Sequence, residues 1–180
     1  MKKLFFVLLT ITTMFAFTAC GSDDEKEEVA FTTVCKQSVQ FKGLKNQSTS
    51  SEEVSAALED LLKASATGYD GTRISTGKLS ITGSTSVIIT GLKEGVVLNN
   101  LKVKINGVEK AFGNISVAGN NLNLYNDDNM KFFADAFTRM MNTHNLTVQV
   151  TFTPSEDVLP LDNVKLNINF DGRYTYWKKK

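Results

Sequence analysis

Apolar residues fall on alternate positions through most of this chain. Val39 and Phe41 flank Gln40, Leu79 and Ile81 flank Ser80, and Leu101, Val103 and Ile105 are separated by Lys102 and Lys104. The same period of two runs through Leu146, Val148, Val150 and Phe152 and through Val164, Leu166, Ile168 and Phe170, with Val87 and Ile89 a shorter instance. Successive strand residues point to opposite faces, so each pattern buries one face of a sheet and wets the other, as antiparallel sheets do. Asn106-Gly107 and Asp171-Gly172 are two-residue hairpin signals, because residues tolerant of positive φ hold both central positions. Gly119-Asn120-Asn121 reads as a third hairpin, joining Ile115–Val117 to Leu122–Leu124. About eight to ten strands on this spacing predict an antiparallel β-sandwich, with a small closed β-barrel as the alternative.

Two segments leave the period of two. Ser50-Ser51-Glu52-Glu53 fits a capping box with Ser50 as N-cap, followed by an apolar stripe at Val54, Ala57, Leu58, Leu61 and Leu62 and a stop at Gly68. A second helix is expected after Asn126-Asp127-Asp128, with Met130, Phe133, Phe137, Met140 and Met141 on one face and Phe132 and Ala136 widening it. This stripe reads as packing of a short amphipathic helix on a sheet. The alternative is a carrier of a small apolar ligand, with Phe133, Phe137, Met140 and Met141 lining its cavity.

The N-terminus is different in kind. Met1-Lys2-Lys3 is basic, and Leu4 to Phe17 is apolar except for Thr10, Thr12 and Thr13. Fourteen residues are fewer than the roughly 20 that span a bilayer. Phe17-Thr18-Ala19 then leads into Cys20, with Phe17 where the commoner residue is Leu. The stretch resembles a bacterial lipoprotein signal peptide ending in a lipobox. The resemblance implies cleavage before Cys20, acylation of that cysteine, and anchoring to a membrane rather than spanning of it. Asp23-Asp24-Glu25-Lys26-Glu27-Glu28 follows, and an acidic run just behind the lipidated cysteine resembles the export tether of Bacteroidetes surface lipoproteins. That implies a lipid-anchored protein of the bacterial outer membrane, facing the cell exterior. The resulting division is a signal peptide over 1–19, a lipidated cysteine and acidic tether over 20–28, and a single β-rich domain over 29–180.

Composition adds little about partners. The 180 residues carry 20 Lys and Arg against 19 Asp and Glu. Without Lys2, Lys3 and the tether's one lysine and five acids, 17 basic and 14 acidic groups remain. A domain charge near +3 gives no reason to expect nucleic acid. If Cys20 is acylated, Cys35 has no partner for an internal disulfide; its strand-like setting reads as a small buried hydrophobe, with a reactive thiol as the alternative.

Chemistry is sparse. The lone histidine, His144, follows the second helix, and no Gly-x-Ser-x-Gly elbow accompanies it. A hydrolase built on His144 or on an acid pair drawn from Glu94, Glu109, Asp127, Asp128, Glu156, Asp157 and Asp162 is the catalytic alternative. Asn126-Asp127-Asp128-Asn129 gathers oxygen ligands, but it lacks the glycine and glutamate of a calcium loop and sits where a helix start belongs. No metal and no cofactor is expected. What remains is a set of wet strand positions rich in amides and hydroxyls: Asn121, Asn123, Thr147, Gln149, Thr151, Asn167 and Asn169. The last strand adds Tyr174, Tyr176 and Trp177, and Asn167, Asn169 and these three aromatics form the candidate ligand face. Lys178-Lys179-Lys180 reads as a charged tail guarding an edge strand. The sum is a non-catalytic binding or interaction module for a glycan, peptide or envelope partner.

Overall fold

The computed structural model describes residues 25–42, 44, 49–80, 83–156 and 163–179. The expected signal peptide, Cys20, Ile81, Asp157, Asp162 and Lys180 lie outside the described residues.

Two antiparallel sheets pack face to face as a β-sandwich. The first joins β1 (Lys26–Gln40), β9 (Lys165–Lys179), β4 (Ser86–Thr90) and β7 (Asn121–Asn123), and β3 (Ile74–Leu79) also pairs with β9. The second runs β2 (Ser50–Ala57), β8 (Asn145–Pro154), β5 (Val97–Ile105) and β6 (Val108–Ser116). Neither sheet closes on itself, so the barrel alternative is not the fold. The period of two explains the core. Leu146, Val148, Val150 and Phe152 of β8 and Leu166, Ile168 and Phe170 of β9 are fully buried, and the residues between them are only half-buried.

Two helices complete the sandwich. In α2 (Met130–Thr143) the predicted stripe faces inward. The Phe137 ring lies 5.8 Å from Phe170 and 6.0 Å from Tyr174, while Phe132 meets Phe112 of β6 edge to face at 6.2 Å. Thus α2 fills the gap between β9 of one sheet and β6 of the other. The other helix, α1 (Leu58–Ser65), buries Leu58 and Leu62, and Ser65 O accepts the Thr33 hydroxyl of β1 at 3.0 Å.

Four expectations are corrected. The capping box at Ser50 does not start a helix, since 50–57 is strand β2 and the helix begins at Leu58. There the local signal loses to ladder bonds with β8 and to cross-strand hydroxyl pairs, Ser51–Thr151 at 2.9 Å and Ser55–Thr147 at 2.8 Å. Asp171-Gly172 is not a hairpin: β9 runs straight through it, in unbroken register with β1 from Lys26↔Lys179 to Gln40↔Lys165. Gly119-Asn120-Asn121 turns the chain from one sheet to the other, because β6 pairs with β5 and β7 with β4. Finally, β9 is not an edge strand. Lys178 pairs with Glu27 and Lys179 with Lys26, so β1 begins inside the acidic run assigned to the tether.

The structure gives Asp171-Gly172 a different use. On the side of β9 away from β1, β4 pairs with 165–169 and β3 with 172–176, leaving a break at Asp171. Asp171 fills it: its carboxylate accepts the Ser84 N–H at 2.8 Å, and its own N–H donates to the Thr85 hydroxyl at 3.1 Å. A Cβ on Gly172 would lie 3.1 Å from both Lys78 O and the Tyr174 ring, so the glycine admits a close approach rather than a turn. By contrast Asn106 and Gly107 do take positive φ, 47° and 81°, and form the expected β5–β6 hairpin.

Candidate functional site

The outer face of the β2-β8-β5-β6 sheet is built from the residues that alternate with its buried ones. Register places Glu53, Gln149, Lys104 and Glu109 in one row across the four strands, and Ser51, Thr151, Lys102 and Ala111 in another. Amides and hydroxyls hold the centre of this face, along β8. Thr49–Thr153, Ser51–Thr151 and Ser55–Thr147 form a ladder of hydroxyl pairs at 2.8–2.9 Å. Thr147, Gln149 and Thr151 were singled out by sequence, and the structure brings these three together.

At one end of the face is an open groove of about 410 Å³, lined among others by Glu53, Lys104, Asn106, Asn145, Thr147 and Gln149. Its floor is fixed by Asn106, whose left-handed backbone aims its amide at β8. Asn106 Oδ1 accepts the Thr147 N–H at 2.6 Å, and Nδ2 donates to Asn145 O at 2.7 Å. One side chain thereby extends the sheet past the point where β5 ends. Asn145 Nδ2 in turn donates to Ser55 Oγ at 2.8 Å. Among the described residues, neither the Glu53 carboxylate nor the Lys104 ammonium has an ion-pair or hydrogen-bond partner.

The candidate ligand residues of β9 are not brought together. Asn167 and Asn169 lie on the outer face and are engaged: Ser38 Oγ donates to Asn167 Oδ1 at 3.0 Å, and Asn169 Nδ2 donates to Ser86 Oγ at 2.9 Å. Tyr174 and Tyr176 point the opposite way, 0% and 4% exposed. Burial pushes the Tyr174 hydroxyl well above the usual tyrosine range, and it donates to Phe170 O at 3.2 Å. Tyr176 walls a hollow of about 300 Å³ with Phe31 and Tyr69, whose rings stack at 4.9 Å. Trp177 is half exposed and on the same side as the asparagines. In a straight strand, however, it stands about 30 Å from Asn167.

His144 ends α2 in a left-handed conformation, φ 53°, and its Nδ1 lies 2.7 Å from Glu59 Oε1. Sequence reasoning missed Glu59, 85 residues upstream, for which no motif exists. Burial works to raise the Glu59 carboxyl, but hydrogen bonds from His144 and from the Ile74 N–H outweigh it and hold it below the usual carboxylate range. With Leu58 N donating to His144 O at 3.0 Å, the pair ties together the start of α1, the end of α2 and the start of β3. Among the described residues no serine, threonine or cysteine side chain is hydrogen-bonded to this histidine.

The remaining candidates have structural places. Asp127 and Asp128 are exposed, while Asn126 accepts the Asn129 N–H before α2. Among the described residues no group of three His, Cys, Asp or Glu side chains is gathered around a metal-sized space. Cys35 is fully buried and its thiol is pushed up to about 12 by that burial. Phe133 and Met140 have no accessible surface, so no water-sized space touches them, and Met141 packs against Gly77. No helix among the described residues is long and apolar enough to cross a membrane. No protein family, curated protein or solved structure matches the chain.

Proposed function

We propose that this chain is a non-catalytic binding module, lipid-anchored through Cys20 to a bacterial outer membrane and displayed outward, which presents the outer face of the β2-β8-β5-β6 sheet to its partner. The observation that carries the reading is the groove on that face. It is an open hollow of about 410 Å³, lined by polar residue types, with an amide-held floor and two charged side chains, Glu53 and Lys104, that have no protein partner among the described residues. Polar groups held in place without using up their charged neighbours are pre-organised for a ligand. The N-terminal 28 residues support the membrane anchor through their resemblance to surface lipoproteins.

Two measurements test this reading. Protease shaving of intact cells, with a periplasmic protein as control, should remove the domain; protection until the outer membrane is opened defeats the outward display. A hydrolytic turnover abolished by His144→Ala would defeat the non-catalytic reading.

A further inference from the structure

We propose that the groove at Asn106 is a saccharide site, in which a neutral, hydroxyl-rich oligosaccharide lies along β8 with Gln149 beneath it and Glu53 and Lys104 at its two sides. The inference rests on the reading that this face is the binding face, and it goes further by naming the ligand and the contacts.

The row geometry is the first argument. Gln149 pairs with Glu53 on one side and with Lys104 on the other. Neighbouring strands lie about 4.8 Å apart, so the two charged residues rise from backbones about 10 Å apart, with an amide between them. Gln149 Nε2 already donates to Ser51 Oγ at 3.4 Å, so the row offers an acceptor at Glu53, the remaining capacity of the Gln149 amide, and a donor at Lys104. A sugar ring bearing hydroxyls around its rim meets all three, because each hydroxyl both donates and accepts. A simple anion meets Lys104 but is repelled by Glu53, and a simple cation meets the reverse.

The second argument is continuity. The hydroxyl ladder continues along β8 beyond the groove, through Ser51–Thr151 to Thr49–Thr153. Thr49, Thr151 and Thr153 keep hydrogen-bonding capacity after one internal bond each, and Ser51 keeps less, since it also accepts from Gln149 Nε2 at 3.4 Å. A chain of sugars running along the strand meets further partners there, whereas a single small ligand uses only the groove.

The third argument is rigidity. Asn106 and Asn145 spend their side-chain amides on holding the floor, at 2.6–2.8 Å. The floor under the ligand is therefore fixed, and the ordering cost of binding falls on the side chains of Glu53, Gln149 and Lys104 alone.

The test is an NMR titration of the full chain in detergent micelles with maltohexaose, cellohexaose, xylohexaose and mannohexaose in turn, following both the protein amides and the sugar signals. At least one hexasaccharide should give saturable shifts at the Gln149 side chain and the Thr147 amide. Gln149→Ala and Lys104→Ala should each weaken it at least tenfold with the thermal midpoint unchanged. Absence of shifts with all four sugars overturns the inference, as do shifts confined to Trp177 or to the Tyr176 hollow; in the latter case a binding module remains but its site lies elsewhere. Shortening of the sugar during the titration defeats the non-catalytic reading instead and leaves the groove assignment standing.

Discussion

Nδ1 of His144 stands 2.7 Å from Oε1 of Glu59, and both side chains are 18% exposed. This contact joins three elements that the chain reaches separately, since Glu59 also accepts the Ile74 N–H at 3.1 Å. Removing the carboxylate strands two donors in a largely enclosed place. Glu59→Ala is therefore expected to lower stability by about 2–3 kcal/mol. Glu59→Gln keeps an acceptor oxygen and should cost about 1 kcal/mol. Urea unfolding at pH 7 measures both, and equal losses would show that packing, not the hydrogen bonds, carries the effect.

The same contact fixes a pH dependence. The Glu59 carboxyl is lowered in the folded state, so its contribution is fully present above the ordinary glutamate value of about 4.3 and is lost as pH falls through the folded value. The gap in urea midpoint between wild type and Glu59→Gln should accordingly be largest near neutrality and close as the solution is taken below about pH 4. A gap that is constant from pH 7 to pH 3 would mean that the charge of Glu59 contributes nothing.

Gly172 is the place to test the straight course of β9. Its Cβ would meet Lys78 O and the Tyr174 ring at 3.1 Å, and Tyr174 is fully buried. Gly172→Ala should cost about 1–3 kcal/mol by overpacking, without altering the far-UV spectrum of the folded protein. Had the residue served a turn at the protein surface, the neighbouring strands would have moved freely to accept a methyl group.

How far the sequence reveals this fold follows from which forces are local. Alternation marks β4, β5, β8 and the first part of β9 because a sheet face is either wet or dry, and that is written in single residues. The stripe of α2 is legible for the same reason. The signals that misled are local ones answered from far away. Ser50 and Glu53 spell a helix start, yet β8 recruits them into a strand; Asp171-Gly172 spells a turn, yet β1 runs past it for fifteen residues. The residues expected to form a ligand face are parted for the same reason as that second misreading. A hairpin there would fold Tyr174 back opposite Asn169 and Tyr176 opposite Asn167, whereas the straight strand parts them and its alternation buries both tyrosines. The groove is half visible, through Thr147 and Gln149, but Glu53, Lys104 and Asn106 come from β2, β5 and the β5–β6 turn, and only register brings them together.

Cys35 offers a chemical reading of core packing. Its side chain has no exposure and its thiol is pushed up to about 12 by burial, so in the folded protein it is neither reached by nor reactive toward alkylating reagents. Iodoacetamide at pH 8, mapped by mass spectrometry, should leave Cys35 unmodified in native protein and modify it fully in denaturant. Labelling at native conditions within minutes would mean that β1 opens locally far more often than its complete pairing with β9 implies.

Three tyrosines put a sharper question, because one chemical change has opposite expected signs. The Tyr125 hydroxyl is buried and has no hydrogen-bond partner among the described residues, while its ring packs on Phe133 at 5.5 Å. Burying an unpaired hydroxyl costs about 1–3 kcal/mol, part of which Tyr125→Phe recovers while the ring contact stays. In contrast the Tyr174 hydroxyl donates to Phe170 O at 3.2 Å and that of Tyr69 donates to Thr72 O. Tyr174→Phe and Tyr69→Phe each lose a hydrogen bond and should cost about 1 kcal/mol. Measured side by side in urea, Tyr125→Phe should be neutral or more stable than wild type and the other two less stable. A loss at Tyr125 as large as at Tyr174 would show that its hydroxyl is satisfied after all, and would place a polar partner against the start of α2.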